Sequence, residues 1–138
     1  MELLHFDDTG PYAAPALVVM LPGAYSAPQE FVDEGFVSSL RQQGAHADVV
    51  LAGATLDHYI EGPVLELLRD EVVAPARARG VQQVWLVGIS LGGLFAMAYA
   101  ARNPGHVSGG SCASARAANW NIRPRAAIVV GTSCTSRT

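Results

Sequence analysis

The 138-residue chain contains no lysine, and it contains no acidic residue after Glu71. Its nine basic residues are therefore all arginines, and against twelve acidic residues they leave a formal net charge of -3 at pH 7. A protein that binds a phosphate backbone usually carries a clustered excess of positive charge. The composition thus predicts no nucleic-acid partner.

Long apolar runs and a cysteine framework are also missing. Every apolar stretch is shorter than a bilayer-spanning helix requires and is interrupted by glycine or proline. Residues 1–6 lack the basic start and apolar core of a secretion signal. Two cysteines, Cys112 and Cys134, are too few for a disulfide framework. These features predict a cytoplasmic protein without a membrane partner.

Strands and helices are predicted to alternate along the first 108 residues. Short apolar runs predict strands at residues 3–6, 16–21, 46–52 and 83–87, and helical spacing predicts helices at 30–43, 63–80 and 91–102. A polar loop is predicted at residues 53–60. The alternation indicates an α/β fold, namely a three-layer sandwich with a mostly parallel sheet. Handedness favours the strand at 16–21 in the centre, with a crevice at the carboxyl ends of the strands.

The segment Gly88-Ile89-Ser90-Leu91-Gly92 has the pattern G-x-S-x-G between a predicted strand and a predicted helix. A sharp turn there holds the serine in a strained conformation with its hydroxyl pointing outward. The two flanking glycines stand where neighbouring elements approach too closely for a side chain. We interpret Ser90 as a candidate nucleophile. The alternative is a glycine-rich turn that only packs a helix on the sheet.

Residues 14–108 resemble the first half of the α/β-hydrolase superfamily, in particular small bacterial serine esterases and lipase-like hydrolases. In that family the loop after the central strand supplies one oxyanion-hole amide, and residues 21–25 (LPGAY) occupy the matching place. The resemblance implies that the backbone N–H groups of Ala24 and Leu91 form the oxyanion hole. Tyr25 is the alternative to Ala24 and is also a candidate for the substrate rim.

The base and the acid that activate a serine are expected after Ser90, in the order Asp or Glu and then His. No carboxylate follows Ser90, and the only later histidine, His106, is interpreted as a surface residue. Asp57 and His58, in the predicted loop at 53–60, lie on the same rim as Ser90. They could contact substrate or act as a substitute base pair, and the alternative is a solvated polar loop.

The last thirty residues differ in composition from the rest. Residues 109–138 contain no Leu, Phe, Tyr, Met, His, Asp or Glu, and only residues 126–131 are typical of a strand. We therefore predict an N-terminal α/β-hydrolase part at 1–108 and an atypical, poorly ordered tail at 109–138, and we hypothesise frame-shifted or degenerate coding. If the tail does not pair with the strand at 83–87, that strand is an exposed edge through which the chain could self-associate.

The sequence thus predicts an incomplete α/β-hydrolase, by descent a serine hydrolase of carboxylic esters, with weak or absent activity as this chain. A small ester-like molecule is the expected substrate, and neither a cofactor nor a metal is expected. One alternative is a non-catalytic α/β binding module or truncated pseudoenzyme. Another is a complete enzyme formed when a partner chain supplies Asp and His.

Overall fold

The computed structural model describes residues 1–7, 15–42, 46–113 and 128–131 of the chain. These residues form six strands: β1 (Glu2–Phe6), β2 (Ala16–Leu21), β3 (Ala47–Gly53), β4 (Gln83–Ile89), β5 (Gly109–Ala113) and β6 (Ile128–Gly131). The helices are α1 (Gln29–Asp33), α2 (Phe36–Gln42), α3 (Leu56–Glu61), α4 (Val64–Leu67), α5 (Ala74–Ala78) and α6 (Leu91–Arg102), with a π-helical segment at Leu68–Val73.

The strands form one sheet in the order β1-β3-β2-β4-β5-β6. β2 pairs in parallel with β3 on one side and with β4 on the other, whereas β1 pairs antiparallel with β3. The prediction that β2 is central is confirmed. Parallel pairing also means that the loop after β2 and the turn after β4 emerge at the same edge of the sheet.

Helices cover both faces of this sheet, and the side chains of β2 alternate between them. Leu17, Val19 and Leu21 belong to the buried cluster on the face of α3, α5 and α6. Val18 and Met20 belong to the cluster on the face of α1 and α2. Each large apolar side chain contributes about 1.5–3 kcal/mol when fully buried. The three-layer α/β sandwich predicted from the sequence is confirmed.

The predicted helix at residues 30–43 is divided into α1 and α2. Gly35 has a φ of 79°, a left-handed conformation that ends α1 and turns the chain into α2. Phe31 and Phe36 then pack edge to face across the break, with ring centroids 5.4 Å apart. The apolar spacing predicts the buried face correctly but does not indicate the turn at Gly35.

The predicted loop at residues 53–60 is wrong, because α3 occupies most of it. Thr55 caps this helix: its hydroxyl accepts from His58 N at 3.4 Å, while Thr55 N donates to Nδ1 of His58 at 3.0 Å. The usual sequence signature of such a reciprocal cap has Glu or Gln at the third helical position. A histidine takes that place here, so the signature was not recognised. Gly62, with a φ of 81°, ends the helix.

Pro75 falls inside the helix predicted at residues 63–80, and a proline in the interior of a helix kinks or shortens it. The proline lies in the first turn of α5, directly after the π-helical segment. In a regular α-helix its ring would clash with the carbonyl of Glu71, four residues earlier. Glu71 lies within the π-helical segment, so the carbonyl four residues before the proline belongs to a wider turn than that of an α-helix.

The tail contributes two strands to the sheet. β5 pairs in parallel with β4, from Trp85 opposite Gly109 to Ile89 opposite Ala113, and β6 pairs antiparallel with β5. β4 therefore has a neighbour on each side, so the condition for an exposed edge at this strand is not met. Self-association and a poorly ordered tail stay predictions, since residues 114–127 and 132–138 lie outside the described residues.

None of the helices in the described ranges is long and apolar enough to cross a membrane. The cytoplasmic location stays a prediction.

Tyr99 anchors the C-terminal end of α6. Its side chain is completely buried, and its hydroxyl lies 3.1 Å from Nδ1 of His106. Arg77 supports the same loop by donating to the carbonyl of His106 at 2.8 Å. Burial raises the pKa of Tyr99 to about 12, because the phenolate would lose its hydration.

This raised pKa predicts a loss of stability at alkaline pH. Below pH 10 both the native and the unfolded chain hold the proton of Tyr99. Between pH 10 and about 12 the unfolded chain releases it first, so the free energy of unfolding falls with pH, by on the order of 2 kcal/mol. The other buried tyrosine, Tyr59, contributes a fall of the same sign, so the share of Tyr99 is obtained by comparison with a variant that lacks its hydroxyl.

Urea denaturation of the wild type and of Tyr99→Phe at several pH values from 9 to 12 measures this effect. The variant loses one hydrogen bond at every pH but is expected to show a shallower decline above pH 10. Equal slopes for the two proteins would contradict the assignment.

Candidate active site

Ser90 forms the turn between β4 and α6. Its backbone has φ 54° and ψ -118°, and among the described non-glycine residues it alone has a positive φ. A non-glycine residue held in such a region costs on the order of 1–3 kcal/mol. The side chain is exposed at the carboxyl edge of the sheet. The strand-turn-helix geometry expected for G-x-S-x-G is present.

Gly88 and Gly92 are required by contacts between neighbouring backbones. A β carbon on Gly88 would overlap the backbone of Gly92 and Gly93, in the first turn of α6. A β carbon on Gly92 would overlap the carbonyls of Leu21 and Pro22, lying 2.6 Å from the Pro22 oxygen. The two glycines thus allow β2, β4 and α6 to converge beneath Ser90.

We call the tight turn from β4 through Ser90 into α6 the elbow. The loop after β2 lies against it, as the position of Gly23 shows. A β carbon placed on Gly23 would be 3.8 Å from the β carbon of Ser90 and 3.7 Å from the carbonyl oxygen of Ile89. Ser26 N donates to Gly23 O at 3.2 Å and closes a tight turn. This turn carries Ala24, which is half-buried, and Tyr25, which is 90% exposed.

The first turn of α6 directs backbone amides towards the same region. Ser90 O accepts from Gly93 N at 3.0 Å and from Leu94 N at 3.3 Å. The N–H of Leu91, the first residue of α6, is one of the amides that have no acceptor within the helix. The partial positive charge of a helix N-terminus therefore faces the zone beside Ser90.

A small cleft borders the elbow on the side of α1 and α2. It is lined by Pro22, Gly23, Ser26, Glu30, Phe31, Phe36 and Ile89. On the outer surface of the described part, the exposed large hydrophobic side chains are Tyr25, Ile60, Leu94 and Met97. Leu94 follows Ser90 by one helical turn. Tyr25 lies on the tight turn that packs against Ser90. Part of this apolar surface therefore adjoins the serine.

Tyr59, on α3, ties the loop after β2 to the elbow helix. It is 3% exposed, its hydroxyl donates to the carbonyl of Pro22 at 2.8 Å, and its ring packs on Phe95 with centroids 4.8 Å apart. Burial raises the pKa of Tyr59 well above its usual value, so the phenol stays protonated. No sequence pattern indicates this hydrogen bond, because its partners lie 37 residues apart on different elements.

Asp57 and His58 lie in the first turn of α3 rather than in a loop. The Nδ1 atom of His58 is engaged with Thr55, at 3.0 Å from both its backbone nitrogen and its hydroxyl. Asp57 is exposed. Contact of either residue with substrate stays a prediction.

His106 lies beyond the opposite end of α6 from Ser90. The helix has twelve residues, and at 1.5 Å per residue it is about 18 Å long. The ring is half-buried against Tyr99 rather than freely exposed at the surface. This separation supports the interpretation that His106 is not the base for Ser90.

The described ranges contain no group of three or more His, Cys, Asp or Glu side chains placed to hold a metal ion.

Comparison with known proteins gives the family. Residues 37–127 match the family model of the alpha/beta hydrolase fold, which is more than half of the chain. The chain belongs to the α/β-hydrolase fold family. No curated protein matches the sequence significantly.

A solved structure shares the architecture. It is described as a predicted CIB-like hydrolase from Thermoplasma acidophilum, and it superposes with a TM-score of 0.56 at 13% sequence identity. The match covers 84% of this chain and 59% of that one. This chain therefore spans little more than half the length of that relative, and identity at this level speaks to the fold alone.

The contacts at Gly92 and Gly23 predict unequal effects of adding a methyl group. Gly92→Ala places a β carbon against two backbone carbonyls that cannot move independently, so we expect the free energy of unfolding to fall by about 2–3 kcal/mol or more. Gly23→Ala is the matched control, because its β carbon meets only ordinary contacts of 3.6–3.8 Å. That variant is expected to remain within about 1 kcal/mol of the wild type.

Chemical denaturation of the two variants measures both values. An equal loss in both would show that the backbones at Gly92 are less closely packed than the structure indicates.

Proposed function

We propose that the protein is a hydrolase of carboxylic esters that acts by acyl transfer to Ser90. The backbone N–H groups of Ala24 and Leu91 form the oxyanion hole in this proposal. Membership of the α/β-hydrolase family supports the reaction class.

One observation carries the proposal: an exposed serine occupies a backbone conformation that favours glycine. The chain uses glycine two residues before and two residues after, where close packing requires it. A turn that served packing alone could have glycine at position 90 as well and would avoid about 1–3 kcal/mol of strain. A strained, exposed hydroxyl beside a helix N-terminus is what an acyl acceptor requires.

The reaction would proceed through a tetrahedral intermediate. Attack of the Ser90 oxygen on the ester carbonyl forms a C–O bond and moves negative charge to the carbonyl oxygen, where the two amides donate to it. Collapse breaks the bond to the alkoxide, which takes a proton from solvent and leaves as the alcohol. Water then hydrolyses the acyl-serine to the carboxylic acid and restores the Ser90 hydroxyl. Because His106 is about a helix length away, the proton of the serine passes to solvent in this proposal. Serine hydrolases without their full triad retain about 10³- to 10⁴-fold catalysis over water.

The surface around the elbow favours a small ester with an apolar portion. Leu94 and Tyr25 are exposed beside Ser90, and Phe31 and Phe36 line the adjacent cleft. Apolar side chains at such a site remove the hydrocarbon part of a substrate from water. The cleft is small, which argues against a bulky substrate.

A non-catalytic binding module is the second candidate, and the surroundings of His106 favour it. Its ring is held by Tyr99 at the end of α6 remote from Ser90, and no carboxylate follows Ser90 in the sequence. A chain of this kind would keep the crevice and its amides without activating the serine.

A fluorophosphonate probe distinguishes the two candidates. Attack of the serine oxygen on phosphorus expels fluoride, and the phosphoryl oxygen takes the place of the oxyanion. We expect slow, stoichiometric labelling of the wild-type chain that is abolished in Ser90→Ala. Intact-mass spectrometry and peptide mapping provide the measurement.

Ser26→Ala is the matched control, because this second serine lies in the cleft beside the elbow. Labelling should persist in that variant. Absence of labelling in the wild type, or labelling that survives Ser90→Ala, would reject the proposal and favour the binding module.

A further inference from the structure

The buried hydroxyl of Tyr59, which takes no part in the proposed chemistry, lies directly behind the loop after β2. The phenol of Tyr59 donates to Pro22 O at 2.8 Å, and Pro22 immediately precedes Gly23 and Ala24. The partners are 37 residues apart in sequence, so this is a tertiary bond between α3 and the loop after β2.

The Pro22 carbonyl is fixed from two sides. Tyr59 binds its oxygen, and the α carbon of Gly92 packs so closely that a methyl group there would lie 2.6 Å from the same oxygen. The ring of Tyr59 in turn packs on Phe95, one turn further along α6 than Gly92. A single side chain therefore bridges the loop to the helix that begins at the candidate nucleophile.

Fixing the Pro22 carbonyl restricts the backbone of the loop at Gly23, the residue with the greatest conformational freedom. Planarity of the peptide bond means that the direction of Pro22 O sets the direction of Gly23 N–H. On the other side of Gly23, its carbonyl accepts from Ser26 N at 3.2 Å. Glycine has no side chain to limit its dihedral angles, so these two hydrogen bonds add to its packing against Ile89 and Ser90 in orienting the following amide, that of Ala24.

We propose that Tyr59 is a positioning residue: its hydroxyl holds the Pro22 carbonyl so that the N–H of Ala24 stays directed at the acyl oxygen of a substrate on Ser90. This inference rests on the proposed function. Oxyanion donors act because they are oriented before charge develops, and a donor free to reorient loses most of that advantage. Burial raises the pKa of Tyr59 above its usual value, so the phenol is protonated and can donate at neutral pH.

Tyr59→Phe tests the inference, since it removes the hydroxyl and retains the ring that packs on Phe95. The matched control is Tyr99→Phe, which removes the hydroxyl of another buried tyrosine at the remote end of α6. Both variants lose one hydrogen bond, so a merely structural role predicts similar changes in melting temperature and in reactivity. We expect the rate constant of fluorophosphonate labelling to fall at least tenfold in Tyr59→Phe and less than twofold in Tyr99→Phe.

A second reaction separates the amides from the nucleophile. In a Ser90→Cys background, alkylation by iodoacetamide displaces iodide from carbon and develops no oxyanion. Tyr59→Phe should leave this rate within twofold. An equal fall in alkylation and in labelling would assign Tyr59 to the elbow itself, and no fall in labelling would overturn the inference outright.

A measurement without chemistry distinguishes failure of the inference from failure of the proposed function. The NMR order parameters of the Gly23 and Ala24 amides should fall in Tyr59→Phe from about 0.85, typical of rigid backbone, towards 0.6. They should stay unchanged in Tyr99→Phe. If the wild type does not react with the probe, the proposed function fails, and unchanged order parameters in Tyr59→Phe would show separately that Tyr59 does not hold the loop.

Discussion

The positive φ of Ser90 is the constraint on which the rest of the site depends. A serine in this conformation persists only where the surrounding structure fixes the chain before and after it. Here the fixing elements are β4, whose partners lie on both sides, and α6, whose first turn packs directly against Gly88. The strain is local, and the contacts that sustain it come from the whole centre of the sheet.

The parallel sheet also explains why two distant segments meet. Leu21, at the end of β2, pairs with Gly88, near the end of β4, so the chain leaves both strands at the same edge. Whatever follows each strand is then adjacent in space, although 67 residues separate Leu21 from Gly88 in sequence. Close packing of Gly92 against the Leu21 and Pro22 carbonyls completes the junction. The site is a consequence of topology first and of particular side chains second.

Local patterns in the sequence sufficed for the framework but not for its tertiary details. The run that becomes β2 was placed with the bounds observed, because continuous apolar composition reflects burial on both faces of a sheet. The bounds of α6 also agree with the prediction. α3 was missed because His58, rather than Glu or Gln, completes its cap. The bond from Tyr59 to Pro22 could not be foreseen, since no periodicity relates residues on different elements.

β5 was also unexpected, because its sequence, GGSCA, has low strand propensity. Its position is set by pairing with β4.

Acyl transfer to a serine uses two kinds of group: amides that stabilise the oxyanion and a base that takes the proton of the hydroxyl. Amides that stabilise an oxyanion are backbone groups, so they follow from the fold of β2, β4 and α6 whatever side chains surround them. A base is a side chain and must be delivered to the same place by another element. The Nδ1 atom of His58 is engaged in capping α3, and His106 lies a helix length away. In the proposed mechanism the proton of Ser90 passes to solvent, so orientation of the amides is the contribution that the described residues make. Under that proposal, the hydrogen bond that orients their loop should matter more than in an enzyme whose base compensates for a misplaced donor.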